Sequence, residues 1–211
     1  MQNLAPIALF VYNRPQHTER TIKFLQQNLL AADSRLYIFS DGAKTQADED
    51  KVNEVRSFIK SVEGFKSVKV IESKSNKGLA NSIIEGVTQL NQNYGQVIVF
   101  EDDLVSSPHT LTYFNEALNR YREEEKVMHI GAYMYHLQEQ NLPESFFYRA
   151  ATSWGWATWQ RAAGTPTHEL QKLGGWKNGS MVERYAHLSS DHLVASAKRI
   201  EKMLPGYDLA T

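Results

Sequence analysis

The chain has 211 residues, 42% of them hydrophobic and 22% charged, with 23 Lys+Arg against 24 Asp+Glu and a formal net charge of -1. That length suits one sizeable domain that buries its own core, and the balanced charge leaves no electrostatic footprint for nucleic acid. The absence of cysteine excludes a disulfide framework and a thiolate zinc site and is compatible with a reducing cytoplasm; residues 1–15 lack a signal-peptide layout, and no stretch approaches the roughly 20 apolar residues of a membrane-spanning helix.

Pro6–Tyr12 is an apolar run that predicts a strand, and the helical stretch after it places Ile22, Leu25 and Leu29 on one face. Leu36–Ser40 predicts a second strand, ending at Asp41-Gly42. Residues from about Asp48 to Val62 have a helical stripe of Val52, Val55 and Ile59, and Ser67–Glu72 alternates like a strand. Leu79, Ile83, Val87 and Leu90 then recur as on an amphipathic helix. Val97–Phe100 predicts a buried strand. The next helix is predicted to be capped by Ser107, with Pro108 at its first position and Leu111, Phe114, Leu118 and Tyr121 on its apolar face. A strand near Val127–Ala132 completes the pattern. Repeated βα units of this length predict an α/β fold with a mainly parallel sheet flanked by helices. Residues 133–160 are dense in aromatics, and from about Gly164 the chain is polar and loop-rich until a helical stretch near Asp191–Leu204. A boundary near residue 133 thus divides a nucleotide-type half, 1–132, from a substrate-facing segment, 133–211, within the same domain.

The chemistry concentrates in Val97-Ile98-Val99-Phe100-Glu101-Asp102-Asp103-Leu104, a buried strand that ends in three acids. Ionised carboxylates are too costly to bury unpaired, and the crevice outside the carboxyl ends of such strands is where α/β folds bind ligands. Acids placed there suit a divalent cation, often one that already carries a diphosphate; an exposed acidic turn is the alternative. Asn13-Arg14-Pro15, Asp41-Gly42 and Ser75-Asn76-Lys77-Gly78 also follow strands and converge on the same sheet edge. Arg14 offers a planar fork for a phosphate or a base edge, or else forms a surface ion pair. Asp41 accepts from a nucleobase or ribose, or only stabilises its turn. Lys77-Gly78 opens a helix whose N-terminus suits a diphosphate, although Asn-Lys-Gly is also an ordinary capping loop. No P-loop, GxGxxG, HExxH or GxSxG element is present. Ser153-Trp154-Gly155-Trp156-Ala157-Thr158-Trp159 reads either as core or as a ligand-lining wall that contains Trp154 or Trp156.

Phe100-Glu101-Asp102-Asp103-Leu104, the Ser-Ser-Pro and Tyr113-Phe114 that follow, Phe10–Pro15, Asn76–Leu79 and Ser153–Trp159 together resemble GT-A glycosyltransferases, in the group related to N-acetylglucosaminyltransferase I. The resemblance implies transfer of a sugar from a nucleotide-diphosphate donor, UDP type favoured, to a hydroxyl of a glycan or lipid-linked acceptor, with inversion, in the cytoplasm or at the inner membrane surface. It implies that Asp103 ligates Mn²⁺ or Mg²⁺, that Asp102 contacts the ribose side and that Glu101 contacts the donor sugar. Asn13, Arg14, Asp41 and Lys77 join the nucleotide-sugar site, with Trp154 and Trp156. The carboxylate that deprotonates the acceptor matches Asp208, in Pro205-Gly206-Tyr207-Asp208, with Asp191 next, although Asp191 also reads as a helix N-cap. Relatives continue past the position of Thr211, so transfer by these residues alone is in question. A sugar-1-phosphate nucleotidyltransferase and a non-catalytic nucleotide- or glycan-binding domain are the alternatives.

Overall fold

A computed structural model of the protein describes residues 3–133, 147 and 152–162. The apolar runs become β1 (Ile7–Val11), β2 (Arg35–Ser40), β3 (Ser67–Glu72) and β4 (Gln96–Glu101), separated by α1 (Pro15–Gln26), α2 (Glu49–Ile59) and α3 (Leu79–Tyr94). Then come α4 (Thr110–Arg120), β5 (Ile130–Gly131) and β6 (Trp156–Trp159). All six strands form one sheet in the order β3-β2-β1-β4-β6-β5. The first four are parallel, and β6 runs antiparallel to both β4 and β5. The predicted mainly parallel α/β sheet flanked by helices is therefore the observed fold.

Alternation along β1 explains why its five residues are all buried. Ile7, Leu9 and Val11 face a cluster with Ile22 and Leu25 of α1, Val55 and Ile59 of α2, and Leu111, Phe114 and Leu118 of α4. Ala8 and Phe10 face the opposite side, where α3 supplies Ile83, Val87 and Leu90. A strand buried on both faces has to be apolar throughout, which is the run seen in the sequence. On the second face Gly86 brings α3 close: a Cβ there would lie 2.8 Å from the Phe10 ring and 3.0 Å from that of Phe39.

Some local expectations are corrected. Leu29 is 64% exposed, because α1 stops at Gln26 and the chain turns there, donating the Leu29 N–H to the Pro108 carbonyl at 3.0 Å. Ser107 does not cap α4: it builds a turn before it, accepting from the His109 N–H at 3.3 Å while its own N–H reaches Thr110 Oγ1 at 3.0 Å. The helix over Asp48–Val62 is shorter at both ends, and the Val127–Ala132 strand shrinks to two residues. The helical stretch near Asp191–Leu204 lies outside the described residues. Among those described, no helix is long and apolar enough to cross a membrane.

The tryptophan string enters the sheet as β6. Trp156 and Trp159 are 8% and 4% exposed, and the Trp159 indole N–H donates to the Leu118 carbonyl at 3.1 Å. His129 stacks on Trp156 with ring centroids 5.5 Å apart. Its Nε2 is buried without a hydrogen-bond partner among the described residues, and burial lowers its pKa to about 4. The unfolded chain therefore binds a proton that the folded chain refuses as pH falls from about 6.5 toward 4. Stability from this group is complete above that window and falls with acidification, by roughly 1–3 kcal/mol across it. His129→Phe keeps a ring over Trp156 and removes the titration, so its melting temperature should decline less steeply between pH 7 and pH 4.5. Parallel declines for the two proteins would count against this assignment.

Candidate functional site

The sheet reverses its winding at β1, which has β2 on one side and β4 on the other. The carboxyl ends of these strands are where such a fold leaves a crevice. A cavity of about 360 Å³ sits there. Its floor is the stacked pair Phe10–Phe39, with centroids 5.0 Å apart. Its walls include Tyr12 and Arg14 after β1, Asp41 and Lys44 after β2, and Glu101 and Asp102 at the end of β4. Asn76, Gly78, Leu79 and Ser82 complete them where α3 begins. An apolar floor rimmed by a few polar groups is the usual make-up of a small-molecule site.

Arg14 is held where α1 begins, with Pro15 at the first helical position and the Arg14 carbonyl accepting from the Thr18 N–H at 2.9 Å. From there its guanidinium forks across two acids, pairing with Asp102 and reaching Asp103 Oδ2 at 3.0 Å. The two acids differ in setting. Asp102 is 2% exposed, and its Oδ2 is buried with no hydrogen-bond partner among the described residues, whereas the Asp103 side chain is 41% exposed. Burial raises the Asp102 pKa above the usual carboxylate range, and Arg14 only partly opposes it. Burial also works against the Arg14 charge, but the two carboxylates outweigh it and hold the guanidinium pKa above its ordinary value. A half-satisfied buried carboxylate beside an exposed one is a site short of a partner.

The fit to a divalent cation can be judged on these groups. Among the described residues no group of three or more His, Cys, Asp or Glu side chains is placed to hold a metal. A cation at Asp103 would thus draw most of its oxygen ligands from a bound phosphate and water, as Mg²⁺-type sites do. The exposed carboxylate beside the orphaned Asp102 oxygen fits that arrangement.

The loops themselves are braced. Asp41 acts as a pin: its carboxylate accepts from the N–H groups of Gly42, Lys77 and Gly78, each at 2.9 Å, and from the Asn76 amide at 3.2 Å. Arg56 of α2 donates to the carbonyls of Asp41 at 3.2 Å and Ser73 at 2.7 Å, joining the ends of β2 and β3. Asn28 donates to Ser106 Oγ at 3.0 Å and accepts from the Leu111 N–H at 2.9 Å, fixing the loop beyond the acids. Packing between the two loops leaves no room at Gly42, where a Cβ would fall 2.5 Å from the Ser75 carbonyl carbon. Gly42→Ala should push the Ser75–Gly78 loop away and cost about 1–3 kcal/mol of stability, read by thermal or urea denaturation. A variant as stable as the parent would show that the loop yields freely.

The structure brings Arg14, Asp41, Glu101 and Asp102 to the cavity wall, with Asp103 beside them on Arg14. Asn13 lies to one side, donating to Asp48 at 2.7 Å. The Lys77 ammonium is paired with Glu85, and Lys77 enters the site only through its backbone N–H, held by Asp41. Trp156 is core, packed in the α3-side cluster with Val97 and Val99, because β6 pairs with β4. Trp154 is 46% exposed and meets Tyr133 edge-on, with centroids 4.4 Å apart. Asp191 and Asp208 lie outside the described residues. Sequence reasoning missed Phe39, Lys44 and Ser82 as lining residues. The one available signal was position, since Lys44 follows Asp41-Gly42 and Ser82 sits one turn into the helix that Gly78 starts.

A mannosyltransferase from Pyrobaculum calidifontis, solved with GDP-Man and Mn²⁺, is 12% identical with a TM-score of 0.49, covering 76% of this chain and 48% of its own. S. aureus TarS, residues 1–349, is 13% identical with a TM-score of 0.47, covering 74% of this chain and 47% of its own. An integrase of Salmonella phage P22 is 46% identical over 48 residues, which is 23% of this chain and 12% of that protein. This chain thus spans about half the length of the two solved structures and a small fraction of the integrase. The sequence pattern of Glycosyl transferase family 2 matches residues 7–169, the whole of the described sheet, and the chain belongs to that family.

Proposed function

We propose that the cavity binds a nucleotide-diphosphate sugar and that the domain is built for metal-dependent transfer of that sugar to an acceptor hydroxyl, with inversion. The observation that carries this reading is the pair Asp102 and Asp103 at the tip of β4, one buried and half satisfied and the other exposed, both bridged by Arg14 at the wall of a cavity with an apolar floor. Family membership supports the donor class. Mn²⁺ or Mg²⁺ at Asp103 would neutralise charge that develops on the leaving diphosphate. In this reading Asp102 accepts from a ribose hydroxyl, which the lack of a partner for its Oδ2 among the described residues supports. The N-terminus of α3, with Gly78 and Ser82 on the cavity wall, favours an anion there through the helix dipole. Lys44, rather than the Lys77 ammonium, adds the cationic rim. The stacked Phe10 and Phe39 form an apolar bed of the kind a base uses.

Within the family, the acidic and tryptophan strings favour the group related to N-acetylglucosaminyltransferase I, with a UDP-type donor and a glycan or lipid-linked acceptor. Residues 1–132 form the donor half, and Trp154 with Tyr133 marks where an acceptor side begins. A cysteine-free chain suits cytoplasmic work, at the inner membrane surface if the acceptor is lipid-linked. Inversion needs a carboxylate at the acceptor hydroxyl; the resemblance points to Asp208 and Asp191 for it, and the donor-site reading does not depend on either.

Calorimetry of UDP, GDP and CMP with and without Mn²⁺ tests the reading. One nucleotide should bind tightly only when metal is present. Metal-independent binding of all three, or release of pyrophosphate from a nucleoside triphosphate and a sugar phosphate, would overturn it.

A further inference from the structure

Every described strand lies before Gln160, and the chain changes character at Gly164, beyond which stand both candidate proton acceptors, Asp191 and Asp208. The integrase match needs 48 residues at 46% identity. The described elements between residues 7 and 133 and between 152 and 162 belong to a sheet whose family pattern is not that of an integrase. Outside the described elements, the stretch after residue 162 has the length of the match, since residues 164–211 number 48, whereas residues 134–151 are too few. The family pattern ends at residue 169, only a few positions into this stretch.

We infer that residues 164–211 are a segment of integrase kinship joined to a sugar-transferase domain, and that they supply no group to the transfer site. A carboxylate that takes the acceptor proton must stand within about 2.6–3.2 Å of the hydroxyl, a geometry that has to be built by its surroundings. A segment that shares nearly half its residues with a protein of another family has surroundings set by that other protein. The segment also brings no second activity through charge: six Lys+Arg stand against five Asp+Glu, with no basic excess for DNA. In the donor-site reading on which this rests, the chain holds nucleotide and metal, while Asp191 and Asp208 do not act on an acceptor.

The test compares the full chain with Asp191→Asn, Asp208→Asn and the double variant, and with the full chain trimmed by trypsin beyond Lys172. Melting temperature, nucleotide affinity with Mn²⁺ and nucleotide release from a panel of sugar donors are read for each. The inference expects melting and affinity to stay within about twofold-equivalent changes for every form, below roughly 0.5 kcal/mol. A tenfold or larger fall in nucleotide release on either substitution, with affinity kept, would overturn it by showing the acid at work in transfer. Loss of melting temperature or affinity on trimming would overturn it by showing the segment to be part of the domain. Should none of the forms bind nucleotide, the donor-site reading fails alone, and an unchanged melting temperature after trimming still supports the separate segment.

Discussion

Asp103→Asn should remove metal-dependent nucleotide binding while leaving the fold intact. The side chain is 41% exposed and pairs, among the described residues, with Arg14, itself 44% exposed. An ion pair this wet is worth at most about 1 kcal/mol, so the melting temperature should move by only ~2–4 °C. The effect on metal should be far larger. Outer-shell partners of a bound metal already cost roughly 10–100-fold in affinity, and a direct ligand should cost at least that. Calorimetry should show nucleotide affinity that no longer responds to Mn²⁺. The neighbouring acid supplies the contrast. Asp102→Asn weakens a pair in which the carboxylate is 3% exposed, and should cost about 1–2 kcal/mol after allowance for the half-exposed Arg14. Equal loss of stability in both variants would mean that Asp103 is a structural acid. Arg14→Ala sharpens the distinction: it vacates the Asp103 oxygen, so Mn²⁺ alone should bind more tightly even as nucleotide binds less well.

The parallel strands were legible because both faces of the sheet are covered, so that every residue of β1 is apolar and the pattern needs no partner to be read. The stripe of Ile83, Val87 and Leu90 was legible for the same local reason. What escaped depended on distant neighbours. The tryptophan string read either as core or as a wall of the site, and Trp156 is core because Trp156–Trp159 pairs with Gln96–Val99, far back along the chain, as the β4–β6 register shows. Leu29 read as buried from its spacing, but α1 ends at Gln26 with Gln27 as its cap, and the third position of the stripe is lost. Lys77 sits in the expected loop but its ammonium turns to Glu85 of the helix that follows, whereas Lys44, which the sequence reading did not single out, lines the cavity. Sequence position locates a loop at the sheet edge without saying which of its side chains points inward. Convergence of Arg14 with Asp102 and Asp103, nearly 90 residues away, was legible only because parallel strands place all their carboxyl ends together.

Asp41→Ala should be the most damaging single change at the site. Its carboxylate satisfies three backbone N–H groups and the Asn76 amide, and the residue is 7% exposed. Removing it leaves those donors facing a small void. Hydrogen bonds to a charged acceptor contribute about 1.5–3 kcal/mol each but share one group here, so the total loss should be on the order of 3 kcal/mol, or about 6–12 °C. Asp41→Asn should fall between the two, since it retains one acceptor oxygen while its amide confronts N–H groups that it cannot accept from. The physical consequence is local before it is global. With the pin gone, the Ser75–Gly78 loop loses its hold on β2, and α3 loses the fixed start that presents Gly78, Leu79 and Ser82 to the cavity. Amide hydrogen exchange at Lys77 and Gly78 should accelerate well before the melting transition, and nucleotide affinity should fall even at temperatures where the sheet stays folded. If Asp41→Ala instead melted like the parent and lost only nucleotide affinity, the carboxylate would be a ligand-contacting group and the loop would be held by other means. Arg56, which bridges the Asp41 and Ser73 carbonyls from behind, is then the residue whose replacement should release it.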